Sequence, residues 1–198
     1  DEVPEVFAKE HVDVVFHGAL ANKVRVDSGV EPLEDPETTQ REVARILAAI
    51  NAAHATDVVL GEKDFEVLVA TQFAVSGLRM ECKLHSVPTV RTPDGLALSN
   101  RNARVAVDKR DAALALSAAL TAGAHAAEHG KAKVLETARG VLKAAGVEPA
   151  YLELRDLAMR EAPVEGDARL LAAVDLGGVR LTDNVGLPLG VGFKHVEA

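Results

Sequence analysis

Residues 57–65, Asp-Val-Val-Leu-Gly-Glu-Lys-Asp-Phe, constrain the fold more than any other stretch of the chain. Val58-Val59-Leu60 is a short apolar run and reads as a buried strand. It stops at Gly61. A helical pattern starts at Phe65 and carries Leu68, Val69, Phe73 and Val75. A strand that ends in glycine and feeds a helix is where open α/β sheets hold ligands. Glycine lets the backbone come close to a ligand, and a helix N-terminus favours an anion. Glu62, Lys63 and Asp64 lie between the two elements. Lys63 offers a mobile positive charge, and Asp64 an acceptor suited to hydroxyls. The same short pattern also fits an ordinary turn with solvated charges.

The flanking chain extends this unit. Thr39-Gln40-Arg41-Glu42 reads as a capping box, and Val43, Ile46, Leu47 and Ile50 follow at helical spacing. This predicts an amphipathic helix of about three turns. Met80–Val87 reads as a second strand, so strand, helix and strand form a parallel, right-handed α/β unit. Upstream, residues 1–11 read as a short helix carrying Val6 and Phe7. Val12–Phe16 reads as a strand closed by Gly18. Residues 18–38 read as loop with a short strand at Val24–Val26, and the acidic run Glu31–Glu37 as solvated.

Residues 88–104 are the second informative stretch. Pro93-Asp94-Gly95 signals a turn. Ser99, Arg101 and nearby backbone N–H groups could clamp a phosphate, as Arg does by its planar fork. The competing reading is a solvated loop between domains. The composition then changes. Residues 108–129 are Ala-rich and helical, with Asp108 as the expected cap. Residues 131–145 form another helix, with Gly146 as its C-terminal signal. Tyr151–Leu157, Arg169–Leu176 and Val179–Asp183 read as strands, and Gly177-Gly178 as a two-residue hairpin turn. The expected class is α/β: a partial Rossmann-like parallel sheet over residues 1–90, then a small α+β domain with an antiparallel sheet over 91–198.

Composition narrows the function classes. With 198 residues, 48% hydrophobic, the chain suits one large domain or two small ones. A net charge of −8 without a basic block argues against nucleic acid. One cysteine, Cys82, excludes an intrachain disulfide and fits a reducing, cytoplasmic setting. Cys82 itself reads as a packed strand residue. No apolar run is long enough for a membrane span, and no signal peptide is visible. The seven histidines show no metal-ligand spacing. His125 and His129 stand i,i+4 but lack a third ligand, so no metal site is expected within the chain.

Read together, Gly61-Glu62-Lys63-Asp64, Pro88-Thr89-Val90-Arg91 and Asp94-Gly95-Leu96-Ala97-Leu98-Ser99-Asn100-Arg101-Asn102 resemble the pantothenate synthetase (pantoate–β-alanine ligase) family. Tyr151–Asp156 and Arg180-Leu181-Thr182-Asp183-Asn184 sit where that family has similar segments. The resemblance implies a nucleotidyltransferase-type fold and a ligase of pantothenate and coenzyme A biosynthesis. Such an enzyme joins pantoate to β-alanine with ATP and Mg²⁺, through a pantoyl adenylate. It implies ATP contacts from Gly61, Lys63, Asp64, Val90, Leu98, Ser99, Asn100 and Arg101. Lys63, Ser99 and Arg101 would act on the phosphates, and Asp64 on the ribose.

The departures point the other way. The family's His-x-Gly-His motif is absent, with only a faint echo in His17-Gly18-Ala19-Leu20. The alignment suggests that the chain starts about a third of the way into a family member. A homodimer or a partner would then supply the remaining contacts. The family's two glutamines after the Lys-Asp pair are Glu66 and Val67 here, so the pantoate-binding glutamine is replaced by a side chain with no donor. These losses keep a second expectation open, a non-catalytic paralogue acting as a nucleotide-binding, regulatory or structural subunit.

Overall fold

The structure is a computed structural model and describes residues 5–15 and 23–191. The described chain runs α1 (Glu5–Lys9), α2 (Pro36–Ala53), β1 (Asp57–Gly61), α3 (Phe65–Gly77), β2 (Lys83–Val87), α4 (Arg110–His125), α5 (Lys131–Ala144), β3 (Pro149–Arg155), β4 (Gly166–Leu176) and β5 (Val179–Leu189). β1 and β2 pair in parallel, Asp57 opposite Lys83 through Gly61 opposite Val87. β3, β4 and β5 form an antiparallel sheet in that order. The expected fold class is therefore present, a small parallel α/β unit followed by an α+β unit.

Each unit has its own core. Val43, Leu47 and Ile50 of α2 pack against Ala70, Ala74 and Val75 of α3. Residues from Leu96 to Leu189 form the larger core, where α4 and α5 lie against the antiparallel sheet. A third cluster joins them: Phe65 and Val69 of α3 meet Met159 and Leu171. This bridge fixes the start of α3 against the face of β4.

Several local readings need correction. α2 begins at Pro36 and runs 18 residues, longer than the three turns expected. Its N-cap is Asp35, whose carboxylate accepts from Thr38 N (3.0 Å) and Thr38 Oγ1 (2.6 Å). Proline at the first helical position completes an N-terminus that needs no capping box at Thr39. Thr39 instead lies inside the helix and donates to Glu66 Oε1 at 2.9 Å. Val12–Val15 form no strand and stand exposed, since neither β1 nor β2 takes them as a partner. The rest of that expectation, Phe16 and Gly18, lies outside the described residues, as does His17-Gly18-Ala19-Leu20. Val24–Val26 is loop, tied to α2 by Val26 N donating to Gln40 O at 3.2 Å.

β1 is only half-buried. Val59 is 63% exposed, because the two-stranded sheet is covered on one face alone. β2 starts at Lys83, so Met80–Cys82 precede it, and Cys82 packs partly buried against the α2–α3 core. Asp108 does not cap α4; a short 3₁₀ turn, Val107–Lys109, leads into the helix. β3 stops at Arg155, whereas β4 and β5 are each 11 residues long and exceed their expected limits. Gly177 and Gly178 turn the β4–β5 hairpin with φ of +60° and +85°, the mirror-image turn that suits twisted strands. Gly146 follows α5 with φ +67°, as a C-terminal glycine should. The acidic run is not simply solvated: Glu31, Glu34 and Glu37 pair with Arg155, Arg180 and Arg25.

Candidate functional site

The turn after β1 is the centre of the site. Glu62–Asp64 form one 3₁₀ turn, and α3 starts directly behind it. Lys63 bends inward, its side chain only 18% exposed. Its Nζ donates to Asp64 Oδ1 at 3.0 Å and reaches Thr182 Oγ1 at 3.5 Å. Asp64 stands at the N-cap of α3 without a side-chain capping bond, so its carboxylate is engaged by Lys63 and not by the helix end.

The second loop folds back as a small hairpin. Arg91 bridges to Ala97, and Gly95 takes φ +93° in the turn that Pro93-Asp94-Gly95 signalled. A 3₁₀ turn follows over Asn100–Arg104, where Ser99 Oγ accepts from Arg101 N at 3.2 Å. Asn102 Nδ2 donates to Ala97 O at 2.9 Å. The Arg101 guanidinium donates to Arg180 O at 3.3 Å. Among the described residues it has no acidic partner.

Two adjoining hollows lie between these loops. The outer one, about 590 Å³, is lined by Lys63, Asp64, Leu98, Ser99, Asn100 and Arg101. Every one of these was singled out from the sequence. The inner one, about 420 Å³, shares Lys63, Asp64 and Arg101 and adds Gly61, Val67 and Tyr151 to its wall. Val90 lines neither hollow; it is 66% exposed, and its carbonyl accepts from Leu98 N at 2.8 Å.

The charge balance in the inner hollow is informative. Glu34, Glu42, Glu66 and Asp183 all contribute to its wall, yet each is engaged. Glu34 pairs with Arg180, and Glu42 with Arg45. Asp183 is buried and takes a bidentate grip from Arg91 at 2.7 and 3.0 Å, with Ser117 Oγ at 3.0 Å. Glu66 is buried and accepts from Leu33 N, Glu34 N and Thr39 Oγ1. Its carboxylate ties the loop before α2 to α3 and is not turned to a ligand. Burial first, then the Glu34 carboxylate, pushes the Tyr151 hydroxyl far above the ordinary phenol value, so it remains a neutral phenol. Lys63 and Arg101 are the cations that the two hollows share.

The sequence alone assigned no site role to Glu34, Tyr151, Arg169, Asp183 or Asn184, although Tyr151, Asp183 and Asn184 lie in segments that carry the resemblance. A signal existed for the last two: they are consecutive polar residues in the middle of a strand, and both are buried there.

Residues 5–186 match the family model for pantoate-beta-alanine ligase. The chain belongs to that family. It is 47% identical over 159 residues to a pantothenate synthetase of Corynebacterium jeikeium, covering 78% of this chain and 52% of the relative. With a pantothenate synthetase of Saccharopolyspora erythraea it shares 46% over 152 residues, 75% of this chain and 48% of the relative. The chain thus spans about half the length of the curated relatives it matches. A crystal structure of pantothenate synthetase from Thermus thermophilus aligns with TM-score 0.71 and 28% identity, covering 76% of this chain and 56% of that one. The fold also matches a pantoate-beta-alanine ligase from Francisella tularensis solved with beta-gamma ATP and beta-alanine. That alignment has TM-score 0.65 and 20% identity over 95% of this chain and 69% of that one.

Proposed function

We propose that this chain carries the nucleotide-binding turn and lid of an ATP-dependent ligase that joins pantoate to β-alanine. The observation that carries the reading is the outer hollow, where Lys63 and Asp64 face Ser99, Asn100 and Arg101 from a loop more than thirty residues away. Family membership gives that convergence its chemistry. Residues 1–90 then act as the nucleotide half and 91–198 as the lid.

In this reading the pantoate carboxylate attacks the α-phosphorus of ATP and pyrophosphate leaves. The β-alanine amine then attacks the acyl adenylate and AMP leaves. Lys63 and Arg101 neutralise charge that builds on the phosphoryl oxygens, where a preorganised cation counts most. Ser99 and Asn100 add neutral donors, and Asp64 accepts from ribose hydroxyls. Gly61 and Leu98 flank the nucleoside, with Val90 supporting Leu98 from behind. The lid also keeps water from the adenylate. Mg²⁺ would supply further positive charge to offset that of the phosphates. Among the described residues no three His, Cys, Asp or Glu side chains converge on a metal site. The ion would therefore be held chiefly through the nucleotide's phosphates and water, as Mg²⁺ commonly is.

A second reading, a nucleotide-binding subunit without ligase activity, has its own support. Val67 lines the inner hollow where the resemblance expects a glutamine, and the neighbouring Glu66 carboxylate is spent on the 33–34 loop and Thr39. A polar acid in that hollow loses a partner worth about 1–3 kcal/mol. Incubation with ATP, Mg²⁺, pantoate and β-alanine separates the readings. AMP formed in step with pantothenate supports the ligase. ATP binding without AMP supports the second reading, and loss of both ATP binding and turnover sinks both. Val67→Gln is expected to tighten pantoate binding at least about fivefold, measured by calorimetry, if this position faces the acid.

A further inference from the structure

The Glu62-Lys63 turn is gripped by a residue 122 and 121 positions downstream. Asn184 Nδ2 donates to Glu62 O at 2.9 Å and to Lys63 O at 2.8 Å. Its Oδ1 accepts from Arg169 Nη1 at 2.6 Å. Arg169 Nη2 then donates to Glu62 Oε2 at 2.8 Å, and Ser86 Oγ donates to the other carboxylate oxygen at 3.0 Å. The guanidinium lies over the Phe65 ring, 4.1 Å from its centroid. Asn184 and Arg169 are 4% and 8% exposed. β5 and β4 thus close a partly buried ring of hydrogen bonds around the backbone that presents Lys63.

An asparagine amide is suited to this task. It offers two donors and an acceptor in one plane, so one side chain can hold two carbonyls and be held in turn. Buried carbonyls need such partners, and their loss lets the turn open. We infer that Asn184, held by Arg169, is a positioning residue that sets the direction of Lys63 towards the anion in the hollow. The ligand side of this inference rests on the nucleotide reading above; the clamp itself does not.

Two measurements test it on the intact chain. The first needs no ligand: limited digestion with a lysine-specific protease, read as nicking after Lys63. The scissile carbonyl is the one that Asn184 holds. Asn184→Ala, and the near-isosteric Asn184→Asp, should each speed that cut by about tenfold, with cutting after Lys109 and Lys133 unchanged. An unchanged rate after Lys63, or equal acceleration at all three lysines in both variants, overturns the clamp. The second is a double-mutant cycle on ATP binding. Asn184→Ala should weaken ATP about tenfold when Lys63 is present and less than about twofold in Lys63→Ala. Equal weakening in both backgrounds shows a merely structural residue and overturns the positioning role. If the unmodified chain fails to bind ATP, the nucleotide reading fails, and the nicking result still decides the clamp.

Discussion

The two turns facing the hollows are built in opposite ways. Gly61–Asp64 is held from a distance, by Asn184, Arg169 and Ser86 on three other strands. The turn after Ser99 is held largely by its own neighbours: Ser99 to Arg101 N, Asn102 N to Ser99 O, and Asn102 Nδ2 to Ala97 O. Arg101 alone of these residues reaches across, to the Arg180 carbonyl. One wall therefore inherits its geometry from the packed β4–β5 hairpin. The other takes its local shape from its own hydrogen bonds and is tied to β5 through Arg91 and Arg101.

The contrast can be broken most directly at Arg91, where the second loop is anchored to β5. Removing it leaves the Asp183 carboxylate, 1% exposed, without its cation. Arg91→Met is expected to cost about 2–3 kcal/mol in urea unfolding, below the usual range for a broken buried pair because Arg91 is 31% exposed. A cost near zero would mean that the anchor is dispensable.

A smaller effect is expected at Glu62, where the Arg169 guanidinium holds the carboxyl below its ordinary value of 4.5. A carboxylate whose folded pKa is depressed stabilises the fold above the unfolded value and loses that contribution as pH falls through the folded one. Glu62→Gln should therefore cost about 1–2 kcal/mol at pH 7. The difference from the unmodified chain should shrink as pH drops below 4.5. A difference that is flat with pH would show that the pair does not brace the turn. Smallest is Ser99→Ala, with about 0.5 kcal/mol of stability lost by the same measurement, because its bond is local and the turn is partly exposed. A loss as large as that of Glu62→Gln would erase the contrast between the walls.

The same contrast explains what could be read from the sequence. The first turn was legible because a strand, a glycine and a helix follow one another within nine residues. The second was legible through Pro93-Asp94-Gly95 and the two arginines after it. The parallel pairing of β1 with β2 and the Gly177-Gly178 hairpin followed from local patterns too. The clamp was not legible, because Asn184 and Arg169 meet Glu62 only after more than 100 residues have folded between them. The start of α2 was misplaced for a different reason. Thr39 and Glu42 mimic a capping box, but Asp35 followed by Pro36 offers the chain an earlier N-terminus. Val59 misled because an apolar run predicts burial, and a two-stranded sheet buries one face only.

In the proposed reading the two turns together form a nucleotide site organised on Lys63. Calorimetric titration of ATP with Mg²⁺ into the chain and into Lys63→Ala tests it most directly. Micromolar binding is expected for the unmodified chain, weakened at least about tenfold by the loss of one charge-assisted contact in Lys63→Ala. Equal affinity in the two proteins, or no binding to either, would contradict it.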